Sequence, residues 1–275
     1  MQAFTRRSVL AGGVAGIALG TIPVSFRTKA SAAGMRIRYS AASPEGKDML
    51  VSYARAVAAM MDLDRTSPGD PRSWTFQWYT HWVQGNGAPA DKQNALQTIY
   101  GGDPDSPNAR LAQAMWSTCQ PHFGGRSDDF LPWHRMYVYY YEQIIRELSG
   151  NPDFTLPYWD YTNPDLQALP PEFLKQDDPD YGSLWRANRD QDVNAGAPIT
   201  AGHPAGSLNL NCLRSPAYGT RIGFCALLNG NPHGIVHDYV GNEQGMGAVP
   251  WAANDPIFWL HHSNVDRIWA SWNTR

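Results

Sequence analysis

One stretch of the sequence decides the fold: DPIFWLHHSNVDRIW, residues 255–269. It predicts a helix over about residues 255–272, in which His261 and His262 interrupt apolar and aromatic side chains. A buried imidazole needs a hydrogen-bond partner or a ligand role, because leaving its nitrogens unpaired away from water is costly. The stretch therefore predicts a core helix that carries functional histidines.

The remaining sequence is also mainly helical. Helical spacing of apolar residues, helix-capping residues and turn signals predict further helices over about residues 48–63, 74–83, 108–117 and 132–148, and from Asn231-Pro232 onward. Residues 150–230 carry Pro, Asn, Asp and Gly every few positions, which indicates loops and short turns. No stretch alternates in the period of two that a strand requires. The predicted class is mainly α with long loops.

Length and composition limit the class of protein. The chain has 275 residues, of which 43% are hydrophobic and 17% charged, which is typical of one large globular domain or two small ones. This composition excludes disorder and coiled coil. The formal net charge of −3 argues against a nucleic-acid partner.

Residues 1–32 are predicted to be a twin-arginine export signal rather than part of the fold. Arg6 and Arg7 precede an apolar stretch over residues 9–24, and Ala30-Ser31-Ala32 matches a cleavage site. A membrane anchor is the alternative, but this stretch of about 16 residues is shorter than the roughly 20 that span a bilayer. We expect a secreted or periplasmic protein of residues 33–275 with no stable membrane anchor after cleavage.

The positions of the histidines are more informative than their number. Seven of the eight lie on or beside predicted helices, and only His203 lies in an open loop. His233 and His237 are four residues apart, so both imidazoles project from one helix face and can share a metal. Gly234 follows His233 where a zinc peptidase would have Glu, which disfavours that activity. Histidines on both sides of the long loop indicate two metal sites.

A set of imidazoles without thiolate or carboxylate suits copper or zinc. Two copper ions with three imidazoles each would keep open positions that O2 could bridge, taking one electron from each Cu(I). A zinc-binding structural domain remains the alternative. Among the cysteines, Cys212 and Cys225 could form a disulfide or remain thiols.

Four motifs resemble those of the type 3 copper proteins, that is, tyrosinases, catechol oxidases and o-aminophenol oxidases, with hemocyanins more distant. They are FLPWHRMYVYYYE from residue 130, LPYWDY from residue 156, NPHGIVH from residue 231 and the stretch at residues 255–269. The resemblance covers about residues 73–272. It implies a fold with an antiparallel four-helix bundle core that holds two copper ions and binds O2.

The resemblance also implies a ligand for each position of the two copper sites. His81, His122 and His134 correspond to the ligands of the first copper, and His233, His237 and His262 to those of the second. His262 is chosen over His261 because three residues separate the family's ligand from the Asp, here Asp266. His122 departs from the pattern, since it precedes Phe130 by eight positions rather than five or six. Cys119 lies near His122, to which many relatives link a cysteine through a thioether.

The function implied is oxidation of a small phenolic substrate, an o-diphenol or o-aminophenol, to an o-quinone or quinone imine, with reduction of O2. Asn229 and Gly234 stand where the family has a Glu and an Asn that hold a proton-accepting water, so monophenol hydroxylation is expected to be weak. Val249 stands where plant catechol oxidases have a bulky Phe, and this smaller side chain is expected to leave access for substrate open. Asp238 is a candidate for polarising an imidazole or a substrate hydroxyl.

Three further points complete these expectations. Asp266 and Arg135 are predicted to orient the imidazoles of ligands near them. A tyrosinase with full monophenolase activity and a non-enzymatic dicopper oxygen carrier remain alternative functions. A copper-delivery partner could load the site, and the sequence does not identify one.

Overall fold

The structure is a computed structural model that describes residues 36–81, 88–119 and 127–274. The predicted export signal over residues 1–32 and the predicted ligand His122 lie outside the described residues. Both stay predictions.

The described residues form ten α-helices joined by loops and short 3-10 turns. The α-helices are α1 (Pro44–Thr66), α2 (Trp74–Thr80), α3 (Ala88–Tyr100), α4 (Pro107–Met115), α5 (Phe130–Ser149), α6 (Gln191–Asn194), α7 (Phe224–Leu228), α8 (Ile235–Val240), α9 (Val249–Ala252) and α10 (Ile257–Trp272). A π-helical turn at Asn229–Gly234 joins α7 to α8. The 3-10 turns are Ser127–Asp129, Pro164–Leu166, Pro171–Leu174, Gly182–Leu184 and Asn211–Arg214.

Helix α5 lies between α1 and α10 in the core. Its Tyr141 ring stacks on Trp259 of α10 with 3.4 Å between centroids and packs edge-on against Tyr53 of α1 at 6.3 Å. The Tyr137 hydroxyl donates a hydrogen bond to the Gln77 carbonyl, which ties α5 to α2. The helices that carry His81, His134 and His262 are thereby fixed to one another.

Local sequence explains where the helices begin. Ser43 caps α1 by accepting a hydrogen bond from the Gly46 N–H, and Pro44 follows at the first position, where its missing N–H costs nothing. Ser73 caps α2 in the same way, accepting from the Phe76 N–H. The Ser43 cap places the start of α1 four residues earlier than the apolar spacing alone predicts.

The long segment between α5 and α7 has the predicted loops and short turns. Buried aromatic side chains hold it to the helices, among them Phe154, Trp159, Tyr161 and Phe173. Within the described ranges, β-pairing is limited to two isolated bridges, Ser40 with Tyr158 and Arg189 with Gly241. The predicted fold class, mainly helical with long loops, is confirmed.

Two further observations concern membrane-spanning helices and the cysteines. No helix of the described part of the chain is both long and apolar enough to cross a bilayer. Of the two states that the sequence leaves open for Cys212 and Cys225, the structure has thiols, both buried in a core cluster with Phe130 and Phe224.

Candidate metal centre

Three buried side chains from separate parts of the chain form a first cluster. His81 ends α2, Cys119 follows α4, and His134 lies in the second turn of α5. The potential ligand atoms of these residues lie within 4.8 Å of one another. The Cys119 Sγ atom is 3.6 Å from His134 Nε2, and the His81 and His134 ring centroids are 5.4 Å apart. The cluster has the composition of a metal site.

Four histidines form a second cluster with the same 4.8 Å limit. They are His233 in the π-helical turn, His237 in α8, and His261 and His262 in α10. The Nε2 atoms of His233 and His237 are 3.1 Å apart, close to the about 3.3 Å between two imidazole nitrogens on one tetrahedral metal. The predicted pair therefore converges as its spacing requires.

The two clusters adjoin. His262 stacks on His134 of the first cluster with 4.4 Å between centroids and 9° between planes, and its ring is 5.1 Å from that of His233. Two phenyl rings line both clusters: Phe258 lies 4.7 Å from His81 and 4.2 Å from His262, and Phe130 lies 4.5 Å from His134 and 4.6 Å from His233. The imidazoles share one buried, apolar-walled site.

Backbone carbonyls orient four of these rings through their Nδ1 atoms. The partners of Nδ1 are the carbonyl oxygens of Val249 for His81 at 3.2 Å, Phe130 for His134 at 2.7 Å, Asn229 for His233 at 3.0 Å and Met246 for His237 at 2.9 Å. A carbonyl can only accept, so the proton is on Nδ1 and the Nε2 lone pair is left for a metal.

The electrostatics of the site also suit metal binding. Burial lowers the pKa of His237 to about 4 and lowers the pKa values of His261 and His262, so these imidazoles are neutral near pH 7. Neutral imidazole is the form that binds metals. Both ring nitrogens of His261 and of His262 are buried without a hydrogen-bond partner, and a cation bound to one nitrogen of a ring would offset part of that cost. The residues present fit a metal site.

The common central domain of tyrosinase matches residues 71–202 and 213–275. The chain belongs to the tyrosinase family. It is 34% identical over 262 residues to the tyrosinase HcTyr1 of Hahella sp. (strain CCB-MM4), in an alignment that covers 82% of this chain and 51% of that protein.

Other tyrosinase-family proteins are similar at lower identity. Polyphenol oxidase B of Solanum lycopersicum is 28% identical, with 86% of this chain and 41% of that protein covered. The crystal structure of Grenache (Vitis vinifera) polyphenol oxidase has a TM-score of 0.60 and 25% identity, with 99% and 80% covered. The chain spans about half the length of the curated relatives it matches.

Several further residues predicted from the tyrosinase-family pattern lie beside the clusters. Asn229 and Val249 are half-buried, and their carbonyls orient His233 and His81. A Cβ added at Gly234 would lie 3.3 Å from the Asn229 carbonyl oxygen, a tight contact with the group that orients His233. Asp238 is exposed whereas His237 is buried, so the Asp238 carboxylate lies at the surface of α8.

Asp266 and Arg135 connect the two helices that carry His262 and His134. The Arg135 Nε atom donates to one Asp266 oxygen, and Arg38 Nη1 donates to the other at 2.7 Å. Arg38 Nε also donates to Glu142 of α5 at 2.9 Å. The Nδ1 atoms of His81, His134, His233 and His237 are bonded to backbone carbonyls instead, so the orienting role of Asp266 and Arg135 stays a prediction. The ion pairs add Arg38 and Glu142, for which the sequence shows no motif.

Proposed function

We propose that the chain is a dicopper oxidase that converts o-diphenols or o-aminophenols to o-quinones or quinone imines. The observation that supports it most is the meeting of two imidazole clusters within one buried site. In this proposal His81 and His134, with His122, hold one copper, and the second is held by His233, His237 and His262. Imidazole donors of this kind suit copper.

The bound coppers would carry electrons from the phenol to O2. Each o-diphenol loses two electrons and two protons, so two o-diphenols reduce one O2 to two water molecules. The protein's own contribution is to hold the imidazoles in one tautomer through the carbonyls of Val249, Phe130, Asn229 and Met246. The rings of Phe130 and Phe258 limit water around the reacting atoms.

A substrate screen of the copper-loaded chain tests this function. We expect 4-tert-butylcatechol and o-aminophenol to be oxidised with uptake of O2, at a ratio of about two catechols per O2 set by the electron balance, and metal-free protein to be inactive. Oxygen uptake and product absorbance measure the reaction. Reversible O2 binding with unchanged catechol would instead identify an oxygen carrier, and failure to bind copper would favour the structural zinc domain.

Monophenol hydroxylation is expected to be weak because the site has a neutral amide where a proton acceptor is needed. The Asn229 carbonyl oxygen of the backbone is already bonded to His233, and its side-chain amide cannot polarise water as a carboxylate does. Val249 favours the alternative, full monophenolase activity, because its carbonyl lies beside His81 and its side chain is smaller than the Phe of plant catechol oxidases. Proton transfer, rather than access, is then limiting.

Combining Asn229→Glu with Gly234→Asn should raise the ratio of tyramine to dopamine turnover by at least about tenfold. The reason is that a positioned general base accelerates proton transfer, with a rate gain of about a hundredfold or more. Initial rates on both substrates measure it. The matched control is Asn229→Gln with Gly234→Asn, which has nearly the same shape but no carboxylate and should leave the ratio unchanged. The interpretation is wrong if the unmutated enzyme hydroxylates tyramine as fast as it oxidises dopamine.

A further inference from the structure

A small cavity lies between the start of α1 and the loop after α5, and none of its lining residues belongs to either histidine cluster. It encloses about 270 Å³, close to the lower end of the range of about 300–1,000 Å³ for pockets that hold small molecules. Most of its wall is apolar, with Trp159, Leu166, Leu169 and Pro170 among the lining residues. Trp159 and Leu169 are almost fully buried. The cavity therefore offers a buried apolar floor to a ligand of amino-acid size.

Hydrogen bonds hold this floor in place. The Trp159 indole N–H donates to the carbonyls of Leu166 and Ala168 at 2.8 and 3.0 Å. The Trp159 backbone N–H donates to the Leu260 carbonyl of α10 at 3.4 Å. Because its indole N–H is already bonded, the ring contributes only apolar surface to the cavity. A wall that is ordered before the ligand arrives favours binding, since little of the protein has to be ordered by the ligand.

Two opposite charges at the cavity have no partner in the protein. Lys47 and Asp165 both line it and are exposed, and neither forms an ion pair within the part of the chain that the structure describes. The third lining charge, Asp160, is already paired with Arg267 at 2.7 Å. Lys47 is the fourth residue of α1, whose amino-terminal end carries positive partial charge and favours an anion beside it. A ligand in this cavity meets both a cation and an anion at its rim.

We propose that this cavity binds a free amino acid with an apolar or aromatic side chain. Lys47 binds its carboxylate and Asp165 its ammonium group, while the side chain lies on the apolar floor around Trp159. A ligand with a single charge would leave either Lys47 or Asp165 without a counter-charge, which is why the zwitterion fits best. The proposal does not depend on the dicopper function, because no proposed metal ligand lines the cavity.

Ligand-detected NMR titration of the full chain tests the proposal with three probes. Phenylalanine carries both charges, 3-phenylpropionate lacks the ammonium group and phenethylamine lacks the carboxylate, and none has the hydroxyl that the dicopper site is proposed to oxidise. We expect phenylalanine to bind with a Kd on the order of 1 mM, a strength that its size allows. Binding should be equal in copper-loaded and metal-free protein, and the other two probes should bind more weakly.

Substitution of the two charges gives opposite patterns for the two singly charged probes. Lys47→Met should weaken phenylalanine and 3-phenylpropionate by about threefold or more and leave phenethylamine unchanged. Asp165→Asn should weaken phenylalanine and phenethylamine and leave 3-phenylpropionate unchanged. Both residues are exposed, so neither change should disturb folding. The matched controls are Lys175→Met and Asp177→Asn, exposed residues outside the cavity, which should change no binding.

A variant that fills the cavity tests where the probes bind. Ala168 lines the cavity and is half-buried, so Ala168→Leu should abolish binding of all three probes while circular dichroism and copper content stay unchanged. Phenylalanine binding that survives Ala168→Leu, or that requires copper, would overturn the site. Loss of binding in Ala168→Leu without an effect of either charge substitution would overturn the amino acid in favour of an uncharged apolar ligand. No binding of phenylalanine at all would overturn the proposal and leave the dicopper function untouched.

Discussion

Replacing His262 with alanine is expected to lower bound copper from about two ions per chain to about one or fewer, and to abolish catechol oxidation. His262 belongs to the second cluster and also stacks on His134 of the first, with 4.4 Å between centroids. Its ring nitrogens are buried without hydrogen-bond partners, as are those of His261, and a metal would satisfy one nitrogen of the ring that binds it. Metal analysis after dialysis measures the loss directly.

Two variants control for the loss of an imidazole as such. His203 is exposed and stacks on Tyr239 at 3.5 Å, so His203→Ala should keep both coppers and full activity. His261→Ala is the more demanding control, since His261 belongs to the same cluster and its ring is 4.8 Å from that of His237. The spacing to Asp266 assigns the ligand role to His262, so His261→Ala should also retain copper.

The opposite pattern would transfer the assignment from one residue to its neighbour. Two coppers retained in His262→Ala, with copper lost from His261→Ala, would make His261 the ligand. That result would show that the spacing to Asp266 does not identify the ligand. Loss of copper in both variants, with native-like circular dichroism, would contradict the assignment of His262 alone to the site.

The helices around the site could be predicted because apolar and aromatic residues repeat in them with a clear period. In α5 and α10 the same pattern also locates His134 and His262, because burying an imidazole among aromatic residues costs free energy unless its nitrogens have a partner. Helix α3 was missed, because its sequence, APADKQNALQTIY, has few apolar residues and no capping signal that stands out. Periodicity detects helices that bury a face and misses those that bury little.

Contacts between distant parts of the chain could not be predicted from spacing. Arg38 reaches Asp266 across 228 positions, and no local pattern marks it as a partner. The sequence associated Cys119 with His122, three residues away, whereas the structure places its sulfur against His134, fifteen residues away. Such pairings depend on how the loop after α4 packs on α2, which only the folded chain specifies.

We expect loss of the buried ion pair between Arg189 and Asp255 to lower the free energy of unfolding more than loss of any other polar contact described above. The Arg189 Nε and Nη2 atoms donate to the two Asp255 oxygens at 2.8 and 2.7 Å, and both side chains are almost fully buried, at 0% and 3% exposure. The guanidinium also donates to the carbonyls of Phe173 and Leu184. It thereby holds the loop after α5 against the start of α10.

Asp255→Asn should lower the free energy of unfolding by about 3–5 kcal/mol, because it leaves the Arg189 charge buried and without its counter-charge. Urea unfolding of the metal-free protein measures this without the added stability that bound metal gives. Asp62→Asn is the matched control: Asp62 pairs with Arg65 on the exposed face of α1, so its removal should change stability by less than about 1 kcal/mol. Equal, small effects in both variants would show that the buried pair contributes no more than a surface pair.

The same substitution should also weaken copper binding, because Asp255 helps to set the position of α10. One Asp255 oxygen accepts the Ile257 N–H at 3.1 Å, in the turn that begins the helix carrying His262. A shift of that turn moves the His262 ring relative to His134 and His233, while the carbonyls that orient the latter two rings lie elsewhere in the chain. We therefore expect Asp255→Asn to lower copper retention after dialysis in buffer without denaturant, where the chain is still folded, and Asp62→Asn to leave it unchanged. Full retention in the folded Asp255→Asn protein would show that α10 keeps its position without the ion pair.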